Sequence, residues 1–321
     1  MGPISRTARS RRGRRPERIP AIILCGGMGM RLREETEYRP KPMVEIGGRP
    51  ILWHIMKLYA AHGFTDFILC LGYKGEAIKE YFLNYATMHN DCTIKLGVPD
   101  SLRFHNNHLE HGWTVTLANT GLGAMTGSRI KQVERYVDGG EFLLTYGDGV
   151  ADVNVRDVLA FHRRHGKAGT VVGVRPPSRF GELVTERDLV VEFSEKPQAS
   201  QGFINGGFFV FQRRFFEYLS ADPQCVLERE PLERLAKEGQ LVRYAHHGFW
   251  QCMDTPRDVR LLESLWESGN PPWKVWADDA AAQSARRLGT RGQTVQHSTE
   301  EGAVVQSPRP STQSQLVKRV S

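Results

Sequence analysis

The sequence predicts an α/β fold, a mixed and mostly parallel sheet flanked by helices, on three observations. Short apolar runs rich in β-branched residues alternate with segments whose apolar residues recur at helical spacing, as parallel strands joined by right-handed crossovers require. The first such run, Ala21 to Leu24, opens directly into a glycine loop, Cys25-Gly-Gly-Met-Gly-Met-Arg31. A later run, Glu141 to Tyr146, delivers Gly147-Asp148-Gly149 at its carboxyl end. Ligands of such sheets bind at the carboxyl ends of the strands, so both glycine-bearing turns point to one functional edge. At 321 residues the chain is long enough for one large α/β domain with a full core, or two smaller ones.

The elements follow in order. Ile51 to His62 carries Ile51, Ile55, Leu58 and Tyr59 at helical spacing and stops at Gly63, a C-terminal cap. Asp66 to Gly72 is a buried strand, and Glu76 to Tyr85 a helix with Ile78, Phe82 and Tyr85 on one face. Residues 93–119 read as two strands around a polar excursion bearing His105, His108 and His111. That spacing invites a metal, but a loop of Asn, His and Gly without a set of carboxylates or cysteines suits solvent better. Thr126 to Tyr136 starts a helix with Arg129 in its first turn, where the cation can join a helix N-terminus in meeting an anion; the ordinary alternative is a surface arginine. Val155 to His165 is a helix and Thr170 to Val174 a strand. Glu182 to Phe193 alternates as a hairpin with its turn at Arg187-Asp188. Ile204 to Phe211 is a strand followed by a helix. Pro231 to Lys237 and Pro256 to Glu267 are helices around the strand Leu241 to Tyr244. Trp266, Trp273 and Trp276 read as packing or subunit-contact residues.

Charge and cysteines bound the rest. Of the formal +7, residues 1–18 carry +6 and residues 277–321 carry +2, which leaves the body at −1. The basic character belongs to the ends, so no nucleic-acid-binding face is expected on the folded part. Composition predicts disordered tails at 1–18 and 277–321 around one domain at 19–276. The Arg-rich start resembles the n-region of an export signal, but Ile19 to Cys25 is too short for the apolar core of one. No run approaches the ~20 apolar residues of a membrane span. Five cysteines, odd in number and without a C-x-x-C pair, predict reduced thiols in a cytoplasmic protein.

A strand, a glycine loop and the cations Arg31 and Lys41 suit a polyphosphate, because amides approach closely where no Cβ stands and fixed cations match its charge. For the glycines alone, a tight turn between core elements is an equal alternative. Leu32 stands where the dinucleotide fingerprint needs its third glycine, and no Gly-Lys-Ser/Thr follows for a Walker loop. Gly26-Gly27-Met28-Gly29-Met30-Arg31 followed by Lys41-Pro42 resembles the signature of the sugar-1-phosphate nucleotidyltransferases. Lys41 to Met56, Thr145 to Asp152, Ile204 to Val210 and Gly248 to Thr255 look like its glucose-1-phosphate cytidylyltransferase branch, in the same order over roughly residues 20–276.

The resemblance implies a Rossmann-like sheet with a small β-rich sugar-binding part. It implies transfer of the cytidylyl group of CTP to α-D-glucose 1-phosphate, at the entry to CDP-linked deoxysugars of surface polysaccharides, by a homo-oligomer. It places the nucleotide against Leu24, Cys25, Gly26, Gly27, Met28, Gly29, Met30 and Arg31, with Lys41, Ala124, Arg129 and Gly147. Glu195, Lys196, Asn205, Gly206 and Gly207 fall at the sugar-phosphate end, Lys196 for the phosphate. Asp148 and Asp254 match magnesium-binding positions, and Arg31, Lys41 and Asp148 the catalytic ones.

The reaction itself asks for that set. A sugar phosphate is largely dianionic near neutral pH, its second pKa being about 6, so its oxygen attacks the α-phosphorus without a general base. What the protein supplies is positioning of two repelling anions and neutralisation of charge. Magnesium with one or two carboxylates, the rest phosphate and water, fits two aspartates from distant parts of the chain. Taken singly, either aspartate reads somewhat better as a turn or helix cap, Asp254 before Thr255-Pro256 above all; together, and with the resemblance, they read as metal ligands. Three positions depart from the family pattern: Cys25 replaces Ala, Met30 replaces Thr, and Ala124 replaces Ser. The last two remove hydroxyls from the nucleotide path. Two further readings stay open: dTTP or UTP as donor, and a catalytically silent regulatory relative.

Overall fold

The computed structural model describes residues 18–106, 108, 110–175, 182–186, 189–194 and 202–277. The expectations for both tails, for the turn at Arg187-Asp188 and for Glu195 and Lys196 lie outside them.

The body is built on a seven-stranded sheet. In chain order its parts are β1 (Ala21–Cys25), α1 (Ile51–Ala61), β2 (Asp66–Leu71), α2 (Gly75–Leu83), β3 (Thr114–Asn119), α3 (Thr126–Gln132), β4 (Glu141–Tyr146), α4 (Val155–His165), β5 (Gly169–Val174), β6 (Ile204–Gln212), α5 (Glu230–Lys237), β7 (Leu241–Ala245) and α6 (Pro256–Glu267). The strand order is β7-β5-β6-β4-β1-β2-β3. Every neighbouring pair is parallel except the two that β6 makes, with β5 and with β4. The mixed, mostly parallel sheet is as the sequence predicts.

The unbroken apolar run of β1 has a plain cause. Ala21, Ile23 and Cys25 face one cluster of buried side chains, and Ile22 and Leu24 face another on the opposite side of the sheet. A strand covered on both faces has no polar face to show. The first cluster takes in α1, whose residues Ile51 to Tyr59 are all buried. Trp273 is fully buried there, and Trp266, Trp273 and Trp276 gather around His54 with ring centroids 4.8–6.2 Å away. Those tryptophans are packing residues.

Boundaries move where the chain changes pitch. The helix expected over Glu76 to Tyr85 breaks at Asn84, with a further turn at Tyr85–His89. The one expected over Thr126 to Tyr136 ends at Gln132 and continues as a tighter 3-10 turn, Glu134–Tyr136. After β6 the expected helix is a 3-10 segment, Arg213–Tyr218. The polar excursion keeps only a short ladder, Cys92–Thr93 against Arg103–Phe104, ahead of β3.

What positions the site is the placing of β1 between β2 and β4. The chain builds outward from β1 through β2 to β3, then returns to lay β4 on its other side. Leu24 is level with Tyr146 and Cys25 with Leu71. The loops leaving β1 and β4 therefore open side by side at a topological switch point, where a crevice forms.

Candidate active site

That crevice is a pocket of about 550 Å³. Leu24, Cys25, Gly26, Gly27, Gly29, Met30, Arg31, Lys41, Ala124, Arg129, Gly147 and Asp148 line it, so these residues named from the sequence lie around one cavity. Met28 is half exposed and is not among them. The loop turns at Gly29, whose φ of 63° favours glycine and where a Cβ would stand 2.8 Å from Thr36 Cγ2. Arg31 is the middle residue of the short turn that follows, Met30–Leu32. Pro40 and Pro42 frame a second one, Lys41–Met43, which aims Lys41 back over the pocket floor.

Four charged side chains meet there. Lys41 Nζ donates to Asp148 Oδ2 at 2.7 Å and to Asp254 Oδ1 at 2.5 Å, and Arg31 Nη1 lies 3.0 Å from Asp254 Oδ2. The positions are separated by 107 and 213 residues of chain yet share one ammonium. Burial opposes the charge of Lys41, but both aspartates outweigh it and hold its pKa above the ordinary lysine value. Burial likewise raises Asp254, and contact with Lys41 and Arg31 outweighs it, so the carboxyl titrates below its usual range. Both groups stay ionised at neutral pH.

The capping alternative for Asp254 is resolved by its neighbours. Thr255 is the cap of α6 and accepts from Asp258 N–H, while Asp258 accepts in return from the N–H groups of Asp254 and Thr255. The Asp254 carboxylate takes no part in that cap; Asp254 is not itself a lining residue of the pocket, and its oxygens pair with Lys41 and Arg31, which are. Asp148 follows β4, and its carbonyl accepts from Met253 N–H at 2.8 Å, which ties the two aspartate-bearing turns together.

Because one nitrogen touches an oxygen of each, the two carboxylates converge on a single point. Two hard, anionic oxygens aimed at one place, beside a cavity for phosphate and water, are the donors magnesium takes. Among the described residues no group of three or more His, Cys, Asp or Glu could hold a metal. Of the histidine loop, His105 bonds Thr93 Oγ1 at 2.7 Å and His108 packs edge-on to Tyr85. Glu110 does stand 3.6 Å from His108, a carboxylate the sequence reading did not credit to that loop, but Lys57 neutralises it.

Arg129 differs from expectation. It lines the pocket, yet its guanidinium is buried among carbonyls: Nη1 donates to Leu71, Gly121 and Thr120 Oγ1, and Nη2 to Gly26 and Leu122. It ties the loops after β1, β2 and β3 together, and presents residual charge more than free donors to a ligand. Asn205, Gly206 and Gly207 do not line this pocket. They adjoin it through Tyr146, whose hydroxyl is 3.4 Å from Asn205 Nδ2. Tyr146, Thr126, Met125 and Pro42 are wall residues that sequence reasoning missed, although Tyr146 stands next to Gly147-Asp148 and could have been read from that motif. Of the departures, Met30 is 79% exposed at the mouth, and Cys25 is fully buried with its thiol pushed up by burial.

The nucleotidyl transferase family model matches residues 20–268. The chain is 50% identical to glucose-1-phosphate cytidylyltransferase of Salmonella typhi over 80% of its own length and 100% of the relative's. It is 44% identical to the probable glucose-1-phosphate cytidylyltransferase of Bacillus subtilis, again over 80% and 100%. At 29% identity it is similar to mannose-1-phosphate guanyltransferase of Gibberella zeae, over 78% of this chain and 66% of that one. Among solved structures it matches a putative glucose-1-phosphate thymidylyltransferase of Bacillus anthracis with a TM-score of 0.57 at 18% identity, over 77% and 94% of the two chains. HddC of Yersinia pseudotuberculosis gives 0.56 at 20%, over 77% and 99%. These two likenesses concern the fold.

Proposed function

The chain belongs to the nucleotidyl transferase family, and from that membership we propose that it joins CTP to α-D-glucose 1-phosphate, forming CDP-glucose and pyrophosphate. The observation that carries this reading is the convergence of Asp148 and Asp254 on the Lys41 ammonium, with Arg31 paired to Asp254, at a glycine-lined pocket whose wall includes Arg31, Lys41 and Asp148. Half the residues are shared with cytidylyltransferases over their full length, which favours CTP over dTTP or UTP.

Asp148 and Asp254 are the residues that would hold magnesium. When bound, the ion offsets charge on the triphosphate and on the departing pyrophosphate. The chain's own groups do the rest. The amides of Gly26, Gly27 and Gly29 receive the phosphates without Cβ interference. Lys41 and Arg31 face the charge that builds on the leaving group. The sugar phosphate brings its own nucleophile, so the protein need only align the oxygen with the α-phosphorus and exclude water. No side chain has to take a proton.

Homo-oligomerisation is part of this proposal. Leu83, Met88, Ile94, Leu96 and Val98 are all more than half exposed in one stretch of chain, and such a concentration of apolar side chains suits burial against a second copy. The intact charged cluster argues against the silent, regulatory alternative. The test is purified protein with magnesium, glucose 1-phosphate and CTP, dTTP, UTP or ATP in turn, with pyrophosphate release as readout. Release with CTP is expected. Release with dTTP and none with CTP would overturn the choice of donor, and no release with any would overturn the enzymatic reading.

A further inference from the structure

One carboxylate beside the pocket lies outside the segments quoted above for the family resemblance and holds two of the wall residues at once. Glu228 ends a stretch that brackets the start of α3. Met125 N–H donates to the Pro223 carbonyl at 2.8 Å, Ser128 N–H to the Cys225 carbonyl at 3.1 Å, and Leu227 N–H to Thr126 Oγ1 at 2.9 Å. Glu228 Oε2 accepts from the Thr126 hydroxyl at 2.8 Å, and its Oε1 accepts from the Tyr146 hydroxyl. Thr126 and Tyr146 both line the nucleotide pocket.

Tyr146 also faces the other half of the site. Its oxygen receives Asn205 Nδ2 at 3.4 Å, and Asn205 Oδ1 accepts Gly207 N–H at 2.8 Å. Gly207 has φ +80°, and a Cβ on it would stand 2.6 Å from Tyr146 Cδ2, so ring and turn are in direct contact. A carboxylate only accepts, so each hydroxyl must point its proton at Glu228. Both rotors are thereby fixed, and the lone pairs of the Tyr146 oxygen are left facing Asn205.

We propose that Glu228 is a positioning residue that couples the two substrate halves: acting through Tyr146, it sets the turn Asn205-Gly206-Gly207 against α3 and the nucleotide pocket. This rests on the nucleotidyl-transfer reading of the pocket. Thr126 keeps its contact with Leu227 N–H when the carboxylate is removed, whereas Tyr146 loses the carboxylate to which its hydroxyl donates. The effect therefore falls on the sugar phosphate more than on the triphosphate.

The test uses the full chain and compares wild type with Glu228→Ala, Glu228→Gln, Tyr146→Phe and the double variant Glu228→Ala/Tyr146→Phe. Initial rates of pyrophosphate release are measured against CTP and against glucose 1-phosphate. Glu228→Ala is expected to raise KM for glucose 1-phosphate about tenfold, the scale of one lost hydrogen bond to a charged group, and to change KM for CTP less than about twofold. Glu228→Gln keeps the shape and one acceptor oxygen and recovers part of the loss. The double variant is no worse than Tyr146→Phe alone, since the carboxylate works through that hydroxyl. Equal rises in both KM values with a lowered melting temperature, or additive losses in the double variant, would overturn the proposal. If the wild type releases no pyrophosphate, the reaction assignment fails by itself. Calorimetric titration of wild type and Glu228→Ala with glucose 1-phosphate, in the presence of CTP, then decides the role of Glu228 by the same tenfold criterion.

Discussion

Among the described residues, Lys41 and Lys57 are both withdrawn from solvent against carboxylates, and the contrast between them shows what makes one a site. Lys57, on α1, meets Glu110 at 3.5 Å with side chains only 9% and 8% exposed. Its ammonium lies 5.3 Å from the Trp53 ring centre and 6.0 Å from that of Trp276, and Glu110 also accepts from Trp53 Nε1–H at 3.1 Å. One cation and one anion close on each other, with indoles taking up the remainder. Lys41 faces two carboxylates instead, the second shared with Arg31, on the wall of an open pocket. Anionic oxygens there have acceptor capacity to spare, and the ligand side of the cluster is not sealed by rings. A buried pair is weak evidence for function by itself; convergent surplus charge beside a cavity is the stronger sign.

The comparison breaks first at the aspartates. Asp148→Asn and Asp254→Asn are each expected to lower kcat by about 10²–10³-fold, the scale of losing one preorganised charge contact at a reacting centre, with little change in melting temperature. Full turnover in Asp148→Asn would remove that residue from the centre. Next come the lysines. Lys41→Met should depress kcat/KM for CTP about a hundredfold and leave the protein folded. Lys57→Met should cost about 3 kcal/mol of stability in urea titration, because Glu110 is left buried without its partner, and leave both KM values as they were. A stable Lys57→Met protein with lost turnover would erase the distinction drawn here.

Acid sharpens the same contrast. Burial pushes His54, among the tryptophans, and His162, on α4, down to about 4 from an ordinary 6.5. Between those values the unfolded chain takes protons that the folded one refuses, so stability is complete above about 6.5 and falls progressively toward 4. Glu110 acts in a lower window. Burial raises its carboxyl, but Lys57 and its hydrogen bonds prevail and hold it below 4.5, so its contribution is lost as pH falls further. Melting temperature against pH should decline across 6.5–4, and His54→Gln should flatten that decline. The smallest expected effect is at the pocket mouth. Met30→Thr restores a hydroxyl at an exposed position and should lower KM for CTP by at most about fivefold, one neutral hydrogen bond's worth.

What the sequence determined by itself was whatever is carried by local pattern. Ala21 to Leu24 reads as a buried strand because every side chain in it is apolar, and the glycines after it read as a close backbone approach or, equally, as a tight turn. The motifs placed Arg31, Lys41, Asp148 and Asp254 in one site before any contact was known, and the structure brings those four within ion-pair distance. Tertiary structure alone decided how charge is apportioned. Arg129 reads as a free cation at a helix start until the loops after β1, β2 and β3 are seen to offer their carbonyls to it. Glu228 and Tyr146 are 82 residues apart, and no spacing rule predicts that the Tyr146 hydroxyl donates to that carboxylate. The physical reason is the same in each case. Strand and turn propensities act between near neighbours, whereas the partner of a charge is whichever group the packed fold brings to it.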